Sequence, residues 1–486
     1  MSDTGSTVNT SSTTLTDHSA RNRLVISLLL VSAFVVILNE TIMNVALPEL
    51  MKDLGIAPSV GQWLTTAFML TMAVVIPITG FLLQRLNTRT VFITAMGLFS
   101  LGTAISAAAP GFGMLVTGRV VQASGTAIMM PLLMTTVMTL VPASSRGKTM
   151  GNISIVMSVA PAIGPTVAGA ILTFAGWRWM FLLVLPIALG ALLLGAARIP
   201  NVTEPKKVPI DALSVVLSAI AFSGLIYGFS SIAEAAQGHQ GLPVWVPLSA
   251  GAVALVGFVW RQLVLQRADR ALLDLRVFRT RNFTVTTLMM AVAMASMFGT
   301  LILLPLYMQT VLRLEPLATG LVLLPGSLLM GLMGPIVGRI YDKRGPTPLI
   351  IPGTVLVSAM LWMLTTVDHT TPVAVLVLLH VGLSLGLSLT FTPLFTAGLG
   401  SLPPALYSHG SAVIGTNQQL SGAIGTALFI TVLSTVGAHV AGDGGSAAQG
   451  VEAGVRAAFQ TGAVISVLLV VGAFFVRRST EPETVS

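Results

Sequence analysis

Long apolar runs follow one another along almost the whole chain, each near the 20 or so residues that a helix needs to cross a bilayer. Fourteen stand out, at about 24–47, 60–83, 90–109, 113–141, 149–172, 178–198, 211–231, 243–264, 283–309, 316–338, 347–367, 372–397, 410–437 and 456–476. Charged residues collect in the short segments between them. Gly and Pro recur inside the runs, which membrane helices tolerate because neighbouring helices re-satisfy the freed backbone groups. The first run continues past Leu38 without an obvious small-residue cleavage site, so it reads as a retained span rather than a signal peptide. The pattern predicts an all-α polytopic membrane protein.

The runs also repeat. Leu47-Pro48 has a counterpart in Leu304-Pro305, Gly80 in Gly338 and Gly164 in Gly422, all at an offset of about 258 residues. This predicts two six-helix bundles, at 24–198 and 282–478, separated by a linker at 199–281 that carries two additional spans. Residues 1–23, rich in Ser and Thr, are expected to be a disordered tail, and 479–486 a second tail. Internal repeats of this kind mark secondary transporters, with the substrate site between the halves.

Composition agrees. The chain is 54% apolar and only 9% charged, against roughly 25% charged in soluble domains. The net charge of +8 does not indicate nucleic acid, because of where the charge lies. With the N-terminus inside, 20 of the 25 Lys and Arg fall on the cytoplasmic side, among them Arg21, Arg23, Arg85, Arg89, Arg146, Lys148, Lys206, Lys207, Arg339 and Arg344. The basic balance therefore sets topology, with both termini cytoplasmic, and suits contact with anionic membrane lipid. There is no cysteine, and the six histidines show no metal-ligand spacing. No metal, cofactor or catalytic residue is expected. Arg146-Gly147-Lys148-Thr149 resembles the end of a phosphate-binding loop, but Pro142 stands where the first glycine is needed.

Glu40 is the one acid and Arg119 the one base clearly inside a span. Charges there are costly and usually functional. Counted from the outer helix ends, Glu40 lies about 10 Å deep and Arg119 about 9 Å at 1.5 Å per residue. The two can face one another directly, through Gln122 or through water. Burial disfavours an ionised carboxylate and a neighbouring Arg favours it, so Glu40 reads as a proton carrier tuned by Arg119. A static pair joining the two spans, or attraction of a cationic substrate, would also explain these residues. Further cavity candidates are Asn39, Asn44, Gln122, Met129, Met294, Met297, His380 and Gln419. Met suits surfaces that bind varied apolar ligands, although helix packing explains Met equally well. His380, at the repeat position of Gln122, either lines the cavity or packs as a neutral histidine. Gly164-Pro165 predicts a kink or close helix packing.

Several motifs carry a resemblance: Leu38-Asn39-Glu40-Thr41, Gly118-Arg119-Val120-Val121-Gln122, Ala160-Pro161-Ala162-Ile163-Gly164-Pro165 through Gly169, Trp177-Arg178-Trp179 and Gly410-Ser411-Ala412-Val413. In their order and spacing they resemble the fourteen-helix drug:proton antiporter family of the major facilitator superfamily, most like its lincomycin-efflux type. Gly338-Arg339-Ile340-Tyr341-Asp342-Lys343-Arg344-Gly345 resembles the signature loop of that superfamily. The first copy, Gly80 to Arg89, lacks the acid, having Gln84, so Arg85 and Arg89 read as relay residues or as plain topology anchors. In that family Gly164, Pro165 and Gly169 would belong to an antiporter motif that shapes the outward gate. The resemblance implies proton-coupled export of lipophilic drugs or antibiotics, neutral or cationic, across a bacterial plasma membrane by a monomer. A symporter or narrow metabolite exporter of the same fold, or a membrane-embedded enzyme or lipid-handling protein, is the alternative.

Overall fold

The computed structural model describes residues 11–201, 205, 209–236 and 242–478. The chain ends at 1–10 and 479–486, Lys206 and Lys207, and the Asn44 side chain lie outside the described residues. Fourteen helices are long and apolar enough to cross a membrane. In chain order they are α1 Ser11–Leu54, α2 Trp63–Arg85, α3 Thr88–Ala107, α4 Phe112–Leu140, α5 Arg146–Phe174, α6 Arg178–Arg198, α7 Ala212–Ala236, α8 Trp245–Leu265, α9 Arg281–Thr310, α10 Pro316–Arg344, α11 Thr347–Leu364, α12 Val373–Gly400, α13 Tyr407–Gly442 and α14 Ala447–Ala473.

Most limits fall within a few residues of the apolar runs. Three do not. α1 begins at Ser11, inside the segment read as a disordered tail, and continues to Leu54. α13 and α14 extend toward each other through Ala- and Gly-rich sequence, to Gly442 and from Ala447. Helix propagation costs far less than nucleation, so turns beyond the apolar stretch ride on the span. A capping box opens α14: Ser446 Oγ accepts from Gln449 N–H, and Gln449 Oε1 accepts from Ser446 N–H.

α1–α6 form one bundle and α9–α14 the other, each packed mainly on itself. Small residues set the closest approaches. A Cβ on Gly102 of α3 would stand 2.3 Å from the Gln122 nitrogen of α4, and one on Gly125 would stand 2.3 Å from the Ala95 carbonyl. The end of the molecule where Asn22 meets Leu140 and Arg478 meets Asp342 is the basic end. There the halves meet along two seams, α5 on α10 and α2 on α13. On the first, Gly147 lies against Gly338 and Gly151 against Gly334, backbone to backbone. Asp342 accepts the N–H groups of Gly147 at 2.7 Å and Lys148 at 2.9 Å. On the second, Gln84 Nε2 donates to the Ala405 carbonyl at 3.0 Å. Arg146 lies 5.6 Å from the centre of the Tyr407 ring, and the Ser154 and Thr392 hydroxyls are 2.7 Å apart. The basic end is closed.

The two additional helices are not merely peripheral. α7 packs against both α2 and α13, across the second seam, while α8 packs on α7. Trp63 stacks on Tyr227, with ring centres 6.1 Å apart. α8 turns Trp245, Val253, Val256 and Trp260 outward, as a lipid-facing helix does.

Candidate functional site

Arg119 is the largest fully buried side chain among the described residues. Its Nη1 donates to Gln122 Oε1 at 2.6 Å, Gln122 Nε2 donates to Thr103 Oγ1 at 2.8 Å, and Thr103 donates to the Phe99 carbonyl at 2.7 Å. The guanidinium lies over the Phe68 ring, 4.0 Å from its centre. Such a stack stabilises a desolvated cation by about 2 kcal/mol. α2, α3 and α4 thus hold one cation from three sides. Each group arises simply: Gln122 is three residues along α4 on the same face, and Gly102 and Gly118 let α3 approach closely enough for Thr103 to reach it.

Glu40 of α1 is half-buried and within electrostatic reach of Arg119. Among the described residues the two form no ion pair. Gln122 takes the guanidinium, and the carboxylate stands apart. Asn39, beside Glu40, is 2% exposed, and its Oδ1 has no hydrogen-bond partner among the described residues.

Two motifs that lie far apart in the sequence meet here. A Cβ on Gly164 of α5 would stand 2.2 Å from Thr41 Oγ1, so only glycine lets α5 approach α1 at the residue after Glu40. The second half repeats this contact, with Gly422 of α13 against Phe298 of α9. In that register Met297, half-buried, stands where Glu40 stands in the first half. α5 continues as helix through Pro161 and Pro165, and Gly169 has open space around it.

The other cavity candidates separate. Gln122 braces Arg119 and is fully buried. Met129 is fully buried and Met294 nearly so, both in the hydrophobic core. Packing in that core accounts for them. His380 packs across the Gly326 backbone of α10, where a Cβ would stand 2.4 Å from its Cδ2. Gln419 is half-buried on α13. Two polar residues missed from the sequence lie nearby. Asn417 Nδ2 donates to the Thr287 carbonyl at 3.1 Å, and Thr135 Oγ1 donates to Ser411 Oγ at 3.1 Å across the halves. Asn417 sits two residues from Gln419 in one polar run, a signal that could have been read.

At the basic end Gly338 makes the closest backbone crossing, and Gly345 caps α10 at a φ of +78° that favours glycine. Arg85, Arg89 and Arg344 are exposed. At the far end Asp53, in the last turn of α1, accepts from Trp177 Nε1 at 2.8 Å and from Arg178 at 3.3 Å. These bonds, that of Trp177 first, hold the Asp53 carboxyl below the usual carboxylate range.

Known proteins point the same way. The chain is 39% identical over 457 residues to a protein named lincomycin resistance protein LmrB of Bacillus subtilis, covering 93% of this chain and 95% of that one. It is 31% identical over 398 residues to a multidrug resistance protein B homolog of Mycobacterium tuberculosis, covering 81% and 73%. In fold it is similar to the proton:xylose symporter XylE, with a TM-score of 0.66 at 14% identity, covering 95% and 97%. The family model described as Major Facilitator Superfamily matches residues 29–426. This chain, with its fourteen spans and two like halves, belongs to the Major Facilitator Superfamily of membrane transporters.

Proposed function

We propose that this transporter exports lipophilic drugs or antibiotics, neutral or cationic, across a bacterial plasma membrane in exchange for protons. The observation that carries the reading is the arrangement of Glu40 and Arg119. A half-buried carboxylate lies in the field of a fully buried guanidinium that other groups hold. A carboxylate locked in an ion pair would stay ionised. One that feels a cation at a distance can take and release a proton as its surroundings change. Glu40 is the proton carrier and Arg119 sets its affinity. The same carboxylate, once ionised, attracts a cationic substrate, so proton and substrate exclude each other. The resistance proteins among its relatives support export as the direction.

The basic end is cytoplasmic by the Lys/Arg bias, and both termini lie there. A closed basic end fits the outward-facing stage, at which an exporter has released its cargo and takes up a proton. Alternating access then proceeds by rocking of the two halves about the site. The chain works as a monomer, its basic rim against anionic lipid.

The test is proton movement. In proteoliposomes with a trapped pH indicator, a lincosamide or a lipophilic cation should drive a pH change with the wild-type protein and none with Glu40→Gln. A wild-type protein that moves such compounds with no pH change would reject proton exchange.

A further inference from the structure

Close contacts inside each half show which residues correspond, and they shift one helix. A Cβ on Gly125 of α4 would meet the Ala95 carbonyl and the Phe99 nitrogen of α3, at 2.3 and 2.6 Å. A Cβ on Gly386 of α12 would meet the Gly353 carbonyl and the Val357 nitrogen of α11, both at 2.9 Å. Ala95 and Phe99 correspond to Gly353 and Val357 at the offset of 258, whereas Gly125 corresponds to Gly386 at 261. α12 is therefore three residues out of the register that the sequence offset gives, and His380 stands at the place of Arg119 rather than of Gln122. The facing residues agree. Arg119 lies over Phe68 of α2, and His380 lies over Gly326 of α10, 258 residues beyond Phe68.

The groups that serve the charge in the first half are missing from the second. Gln122, which takes the guanidinium, and Thr103, which holds Gln122, become Leu383 and Leu361, both buried. Phe68 becomes a glycine, and the imidazole takes the space: a Cβ on Gly326 would stand 2.4 Å from His380 Cδ2 and 2.9 Å from Nε2. Ser384, one turn along α12, faces the same glycine, with its Oγ 2.8 Å from the Cβ position. Both ring nitrogens of His380 are shielded, and neither has a hydrogen-bond partner among the described residues. The Leu323 carbonyl of α10 lies near the ring without a bond of ordinary geometry. Among the described residues no charged side chain of α5, α9, α10, α11 or α13, the helices packed on α12, reaches the ring. A buried donor or acceptor left unmatched is costly. In a membrane span such a group calls for a partner that comes and goes.

By the repeat, Met297 and His380 stand in the second half as Glu40 and Arg119 stand in the first. We infer that Met297 and His380 form the cargo subsite of the second half, where the imidazole hydrogen-bonds a hydroxyl on a lipophilic compound. A neutral imidazole carries one donor and one acceptor, and a hydroxyl can answer either. Met297 adds a soft apolar surface, and pockets for such ligands are mostly apolar with a few placed polar groups. Glu40 in the first half serves the proton and a positive charge. His380 in the second half serves the polar handle of a neutral compound and determines specificity, selecting hydroxylated over purely apolar cargo. This role rests on the export reading for its class of ligand, but not on Glu40 or on proton exchange.

Equilibrium binding to the full chain in lipid nanodiscs tests this with two probes. One is a lincosamide, rich in hydroxyls; the other is tetraphenylphosphonium, a lipophilic cation with no hydrogen-bonding group. His380→Leu should weaken the lincosamide by about three- to tenfold, the worth of one hydrogen bond, and leave tetraphenylphosphonium within about twofold. His380→Gln, which keeps a donor and an acceptor, should recover most of the loss, as a space-filling role would not require. Unchanged binding of tetraphenylphosphonium guards against a folding defect. The chain has no cysteine, so His380→Cys carries a single thiol. A small methanethiosulfonate reagent should label that thiol, and the lincosamide should slow the labelling. The inference is overturned if His380→Leu weakens both probes alike or neither, or if the thiol does not react. A wild-type chain that binds neither probe would overturn the export reading as well; one that binds both, with His380→Leu unchanged, would overturn this role alone.

Discussion

Arg119 is held at two kinds of contact that need a planar cation, a hydrogen bond to Gln122 and the face of Phe68. Lysine offers neither a fork nor a stacking plane. Arg119→Lys should therefore fold yet lose transport by about tenfold or more, since the stack alone is worth about 2 kcal/mol; uptake rates in vesicles at matched expression would show it. At Gly164 the constraint is steric. A methyl group there stands 2.2 Å from Thr41 Oγ1, and Gly164→Ala should destabilise the α1–α5 contact by about 1–3 kcal/mol, seen as a lower melting temperature in detergent. Glu40 and Arg119 were legible from their depth alone, because charges are so rare in the spans. That they do not pair was not legible, because Gln122 and Phe68 compete for the guanidinium only once α2, α3 and α4 are packed.

Between elements, the closest backbone crossing joins the halves. A Cβ on Gly338 would stand 2.0 Å from the Gly147 carbonyl, so Gly338→Ala should hold α10 off α5 and favour an open basic end. Cross-linking of cysteines placed at Ser154 and Thr392, whose hydroxyls are 2.7 Å apart, should then fall severalfold. At the far end Asp53 fastens α1 to the start of α6 through Trp177 and Arg178. Its carboxyl is held below its ordinary value. A depressed group contributes stability that is present above its unfolded pKa, about 3.9, and lost as pH falls through the folded value. Melting curves should show the wild type losing its advantage over Asp53→Asn only below about pH 4; an advantage that vanished near neutrality would contradict the assignment. Helix number and most limits were readable from apolar run length. The ends of α1, α13 and α14 were not, since helix continues past the bilayer where no run marks it.

Across the whole molecule, the repeat was visible as an offset between glycines and prolines, and it recurs as contacts: Gly164 on Thr41, Gly422 on Phe298. What one sequence hides is where the repeat is broken, at Gln84, Met297 and His380, because a departure has meaning only beside the partner it faces. The position of α7 across the second seam was equally hidden, since hydropathy marks a span and not its neighbours. The proposed role of Glu40 is to couple protons to export. It is tested most directly by uptake of a fluorescent lipophilic cation into inverted membrane vesicles, with and without an imposed pH gradient. Wild type should accumulate the dye only with the gradient, and Glu40→Gln should lose that dependence. Gradient-driven accumulation by Glu40→Gln equal to that of wild type would contradict the account.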